Sequence, residues 1–255
     1  MVACPVCHTS NKHLETVCTS CGSFIQPKVD NLDLFATVWR LFESPLSTFH
    51  RIAIASHKNY TFVIAVLMGF GVSFGILWFV KIGNENLDLA RILALGVLSG
   101  PLVGILTLYF FAFLQKIVGQ FFRYETNIRR TTALIAYASV PVAFSAIFLL
   151  PVEILTFGQF FFSSNPSPML IKPVSYLILL ALDGICVAWT LALYVMSIQV
   201  LYDINTRRAL TVSVATLALA VSLGFGLTKA LPPLMLNEST PKLPVAVAEL
   251  NIYGV

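Results

Sequence analysis

The sequence predicts an all-α membrane protein, a bundle of five transmembrane helices preceded by a small cysteine-rich module and amphipathic linker helices. Three observations predict it. Of 255 residues, 57% are hydrophobic and 11% charged, with a mean hydropathy of +0.84. A soluble domain is about a quarter charged, so this chain could not cover a water-facing surface. Stretches apolar enough to cross a bilayer recur five times after residue 59. The first 30 residues instead carry Cys4, Cys7, Lys12, Cys18, Cys21 and Lys28, with no apolar run of the kind a secretory signal needs. The composition excludes a disordered chain, a secreted disulfide scaffold and a nucleic-acid binder with a basic face. The net charge of +4 is small, and its distribution says more than its sum.

Residues 1–27 form the first module. Cys4-Pro5-Val6-Cys7 and Cys18-Thr19-Ser20-Cys21-Gly22 are two CxxC knuckles separated by ten residues. Each presents two sulfurs on a tight turn, and together they complete a tetrahedral set for one structural zinc ion. Pro5 stiffens the first turn, and Gly22 lets backbone amides approach the second thiolate pair. Two disulfides or a redox CxxC are the competing chemistries. Disulfides need an oxidising compartment, against the absence of a signal, and a redox motif uses a single pair beside a helix. Four thiolates close the coordination, leaving no open position for water or substrate and leaving His8 and His13 as solvated loop residues. About twenty residues cannot bury a core, so metal binding should fold this zinc ribbon.

Residues 28–58 link the ribbon to the membrane. Leu32, Phe35, Val38, Trp39 and Phe42 recur at helical spacing, with Asp33 in the first turn. Ser44-Pro45 reads as an N-cap followed by proline at the first helical position, opening a second helix with Leu46, Phe49 and Ile52. Trp39, Arg40, His50 and Arg51 at the margins suit interfacial amphipathic helices; covering the bundle is the alternative.

Residues 59–231 hold the five spans, at 60–80, 92–115, 131–150, 174–201 and 209–231. Pro141 lies within the third, Pro151 ends it, and Pro232-Pro233 stops the last. Nine flanking basic residues (Arg40, Arg51, Lys58, Lys116, Arg123, Arg129, Arg130, Arg207, Arg208) fall on one side and five (Lys81, Arg91, Lys172, Lys229, Lys242) on the other. By the positive-inside rule the N-terminus is cytoplasmic, the C-terminus outside, and residues 232–255 form an extracytoplasmic tail.

Within the spans, Gly96, Gly100 and Gly104 form a GxxxGxxxG pattern, with a shorter one at Gly71 and Gly75. Such faces pack either against a neighbouring helix of the same chain or against a second copy in a homo-oligomer. Pro101 and Pro141 should kink their helices. Asp183 stands as the only acid deep in a span, with no acid paired to it. It is either a functional group on a proton or cation path, or polar glue hydrogen-bonded by Thr190, Ser139, Tyr137 or Gln199. All four histidines (His8, His13, His50, His57) precede the first span, and no Walker sequence occurs. The chain is expected not to be an enzyme.

Leu41-Phe42-Glu43-Ser44-Pro45-Leu46-Ser47-Thr48-Phe49 resembles the segment that opens Yip1-domain membrane proteins. Ala136-Tyr137-Ala138-Ser139-Val140-Pro141 resembles that family's tyrosine-to-proline stretch, and Trp189 followed by a polar turn and a last apolar helix fits as well. The resemblance covers residues 40–231 and implies five spans with a cytoplasmic N-terminus. A zinc ribbon ahead of the domain resembles the prokaryotic branch, implying a bacterial cytoplasmic membrane. Eukaryotic relatives act in vesicle traffic through small Rab-type GTPases. Here Phe42-Glu43-Ser44-Pro45 replaces their acidic-aromatic motif, so GTPase binding does not carry over.

Together these features point to a multi-pass scaffold or adaptor in membrane organisation or trafficking. The zinc ribbon would be its cytoplasmic docking module for a protein partner and the lipid bilayer its medium, with no nucleic-acid partner. The alternative is a channel or transporter using Asp183, with Pro101 and Pro141 as hinges.

Overall fold

The computed structural model describes residues 1–27, 29–85, 87–125 and 127–230. Two short strands, β1 (Val2–Ala3) and β2 (Ser10–Asn11), pair antiparallel, and a bridge joins Val17 to Phe24. Helices follow: α1 (Leu34–Glu43), α2 (Pro45–Ile54), α3 (Thr61–Phe79), α4 (Leu89–Phe121), α5 (Ile128–Ala138), α6 (Val140–Phe157), α7 (Pro168–Ile171), α8 (Pro173–Tyr202) and α9 (Thr206–Ala230). Five helical segments of the described chain are long and apolar enough to cross a membrane: α3, α4, α5 with α6, α8 and α9. The chain divides into a unit of residues 1–220 and one of 221–255, whose described part continues α9. The expected tail at 232–255, with Lys242 and Pro232-Pro233, lies outside the described residues.

The two linker helices differ in burial. On α2, Phe49, Ile52, Ala53 and Ile54 are buried, so this helix covers the bundle. On α1 only Thr37 and Leu41 are buried, while Phe35 (84% exposed) and Trp39 (67%) point outward, as a helix lying in a membrane interface would hold them. Asp33 caps α1, accepting a 2.7 Å hydrogen bond from the Ala36 N–H. Ser44 occupies the N-cap position of α2, but its side chain makes no capping bond, and Pro45 does start the helix. Lys58, counted in the sequence as a flanking charge, turns inward. Its ammonium donates to the carbonyls of Ile52, Ala53 and Ala55 at 2.7–3.1 Å and closes the C-terminus of α2.

The third span breaks between α5 and α6 at Ser139. Pro141 has no N–H for the Tyr137 carbonyl, and the chain turns two residues earlier. Pro101, in contrast, leaves α4 unbroken. Pro151 does not end the third span: α6 runs through it to Phe157 and takes Glu153 into the membrane.

The Gly96, Gly100 and Gly104 face lies against α3, which corrects its use as an oligomer face. A Cβ on Gly104 would stand 2.0 Å from the Ala65 carbonyl oxygen, and one on Gly69 2.1 Å from that of Gly100. The α3 partner is thus Ala65 and Gly69, not Gly71 and Gly75. Gly71 meets Val142 of α6, and nothing stands within 4 Å of a Cβ on Gly75. Where lipid offers no hydrophobic drive, such backbone contact supplies the packing. The outward surface of the spans is apolar, with Leu98 79% and Leu155 87% exposed.

Candidate functional site

The four N-terminal cysteines converge, and their ligand atoms all lie within 4.8 Å of one another. Cys4 and Cys21 sulfurs are 3.6 Å apart, and those of Cys7 and Cys18 3.5 Å. All are free thiols, far beyond the S–S bond length of about 2.05 Å. Four sulfurs at about 2.3 Å from a central zinc would stand about 3.8 Å apart, so the cluster has the dimensions of a tetrahedral thiolate site.

The two knuckles repeat each other bond for bond. Cys4 N–H donates to the Thr9 carbonyl and His8 N–H to Cys4; Cys18 N–H donates to the Ser23 carbonyl and Gly22 N–H to Cys18. The N–H two residues after the first cysteine points at its sulfur in both, from Val6 and from Ser20, each at 3.4 Å. The residue closing each knuckle is left-handed, with φ of 58° at His8 and 72° at Gly22. His8 is therefore a turn residue. The Cys7 backbone, then the Ser23 hydroxyl, hold the Cys4 thiol down to about 5, and the Cys21 and Ser20 backbones lower Cys18. At Cys21 the Ser23 hydroxyl pulls downward, but contact with Cys7, burial and contact with Cys4 outweigh it and raise the thiol. Buried Asn11, which no cysteine pattern singles out, ties the knuckles by donating to the Thr9 carbonyl and Cys18 sulfur and accepting from the Thr19 N–H.

The module is docked on one end of the bundle. His13 Nε2 lies 2.9 Å from the Val200 carbonyl oxygen, Arg130 donates to the Leu14 carbonyl at 3.0 Å, and Lys12 pairs with Glu125. His13 is thus an anchor, not a solvated residue. Leu14, 3% exposed, joins the core cluster built around Phe49, Leu134 and Ile198. The opposite end is closed by Asn84, whose side chain bonds Ser163 and Ser164.

Inside the spans Asp183 is not a lone acid. Glu153 on α6, 4% exposed, lines the same cavity between α3, α6 and α8. The sequence expectation ended the third span at residue 150, and this removed Glu153 from view. Asp183 accepts a hydrogen bond from Ser145 of α6. Two of the partners expected for it point elsewhere: the Tyr137 hydroxyl donates to the Asn59 carbonyl and Ser139 to Ala136, while Thr190 Oγ1 is buried without a partner. A second buried polar cluster also escaped the sequence. Gln115 of α4, fully buried, accepts from Tyr194 of α8 and Thr216 of α9 and donates to Tyr202.

The family model for the Yip1 domain matches residues 39–228, from α1 to α9. The chain belongs to the Yip1 family. No curated protein and no solved structure matches it significantly. The cysteine module lies ahead of the matched residues. Within the Yip1 domain, Phe42 at the α1–α2 junction stacks on Trp189 of α8 with ring centroids 6.4 Å apart and planes within 6°. The tyrosine-to-proline stretch forms the α5–α6 break, with Tyr137 fully buried against the start of α3. Both segments that carry the resemblance are thus joints between helices.

Proposed function

We propose that this Yip1-family protein is a non-enzymatic membrane scaffold or adaptor of prokaryotic type. Residues 1–27 are a zinc ribbon that docks a cytoplasmic partner, and the five spans anchor it in the cytoplasmic membrane. The observation that carries this reading is the closed four-cysteine set held at one end of the bundle by His13, Lys12 and Arg130. A saturated thiolate site supplies shape and not a reacting position. The same end carries the loops with Arg123, Arg129, Arg207 and Arg208, which supports a cytoplasmic ribbon and an outward C-terminus. The test is recovery of partners from membranes with intact protein and with Cys4→Ser/Cys7→Ser. Zinc-dependent recovery of a defined partner supports the adaptor, and a pull-down empty in both overturns it. A periplasm-only reporter active when fused before Tyr60 would overturn the orientation.

The shared cavity of Glu153 and Asp183 favours a second reading, a transporter or channel using Asp183. Asp183→Asn then abolishes flux, whereas in a scaffold it changes stability only.

A further inference from the structure

Between α3, α6 and α8 lies a cavity of about 250 Å³. Its lining joins two chemistries. Glu153, Asp183 and Ser145 form a polar wall, and Phe74, Phe161 and Tyr176 an aromatic one.

The polar wall is unbalanced. Glu153 is 4% exposed and lines the cavity together with Asp183. Ser145 satisfies one oxygen of Asp183, and among the described residues no Lys, Arg or His lines the cavity. The nearby ammonium of Lys81 instead lies over the Trp78 ring, 4.1 Å from its centroid. The site thus holds acidic oxygens with no cation among the described residues. Buried acids in a membrane are costly unless a positive charge or a proton meets them.

The aromatic wall narrows what that positive charge is. A hard divalent cation binds through oxygen ligands and retained waters and gains nothing from three aromatic rings. Aromatic rings with carboxylates are the combination that recognises organic cations.

We propose that this cavity binds an organic ammonium ion, carried by a lipid headgroup or by a free amino alcohol. The ammonium meets Glu153 and Asp183, and the carbon substituents pack on Phe74, Phe161 and Tyr176. Asp183 and Ser145 are half-buried, which leaves the cavity unsealed at the α6–α8 seam. This inference is independent of the zinc ribbon.

The test uses the full chain purified in detergent, with ethanolammonium chloride titrated against ethylene glycol and sodium chloride as controls and the melting temperature as readout. A second arm measures retained lipid by native mass spectrometry from nanodiscs of phosphatidylethanolamine or of phosphatidylglycerol. Ethanolammonium stabilises saturably, and Glu153→Gln and Asp183→Asn, both isosteric, raise its midpoint by about tenfold or more. Response only in the nanodisc arm, lost in the same variants, assigns the ammonium to a lipid headgroup. Equal stabilisation by ethylene glycol overturns the proposal, a measurement that survives even if a variant fails to fold. An unchanged response in both variants, or none in either arm, also overturns it and leaves the pair holding protons alone.

Discussion

The cysteine module and the bundle keep their shapes by opposite means. In residues 1–27 the buried residues are few, Val6 and Phe24 are 67% and 62% exposed, and the one deeply buried aliphatic side chain, Leu14, packs into the bundle's core. Order there comes from two repeated turns aiming four sulfurs at one point. In the bundle it comes from backbone contact at Gly69, Gly100 and Gly104 and from buried polar clusters. A domain without a core depends on a single cross-link, and a bundle with many close contacts does not.

The sharpest way to break this comparison is to remove the cross-link. Chelation, or Cys7→Ser, should unfold residues 1–27 completely while the helical signal of the spans persists. Limited proteolysis should then cut ahead of α1 and nowhere in the bundle, and protein purified without stoichiometric zinc would refute the premise. The converse break is Gly104→Leu. Its first side-chain carbon already collides with the Ala65 carbonyl, so the bundle should lose about 3 kcal/mol or more, read as a lower melting temperature in detergent. The module should still bind metal with unchanged stoichiometry.

The two regions were also unequally legible. The convergence of the four cysteines could be read from spacing alone, because CxxC pairs encode a local geometry that four sulfurs complete. The span count was equally plain, since it rests on apolar length. What the sequence concealed was tertiary. Pro151 reads as a helix stop in water, but within a bundle the helix passes through it, and Glu153 two residues later was lost from the site. Gln115 ends an apolar run and looks like a border residue, and only the approach of α8 and α9 makes it central. The Gly96 face was visible, yet its partner, Ala65 with Gly69, has no repeat pattern to announce it.

An intermediate effect is expected at that polar cluster. Gln115→Leu leaves the Tyr194 hydroxyl without its buried acceptor, while Tyr202 and Thr216 keep the backbone carbonyls of residues 115 and 212, and should cost about 1–2 kcal/mol, because the membrane-embedded unfolded state finds partners too. Unfolding in mixed micelles, compared with Gln115→Glu as a hydrogen-bonding control, would check it. A loss as large as that of Gly104→Leu would mean that polar contacts, and not backbone approach, set the stability of the bundle.

The smallest effect tests the repeat inside the module. His8 and Gly22 close equivalent turns with φ of 58° and 72°, a region in which a side chain costs about 1 kcal/mol and glycine nothing. Nothing stands within 4 Å of a Cβ on Gly22, so Gly22→Ala reports backbone strain without a clash. It should destabilise the metal-bound module by about 1 kcal/mol, seen as several-fold faster metal transfer to a competing chelator. His8→Gly should change it by a few tenths at most, because relief of the left-handed strain is offset by glycine's greater freedom when unfolded. Opposite or equal effects at the two positions would show that the knuckles, though bonded alike, do not share the load of holding the metal.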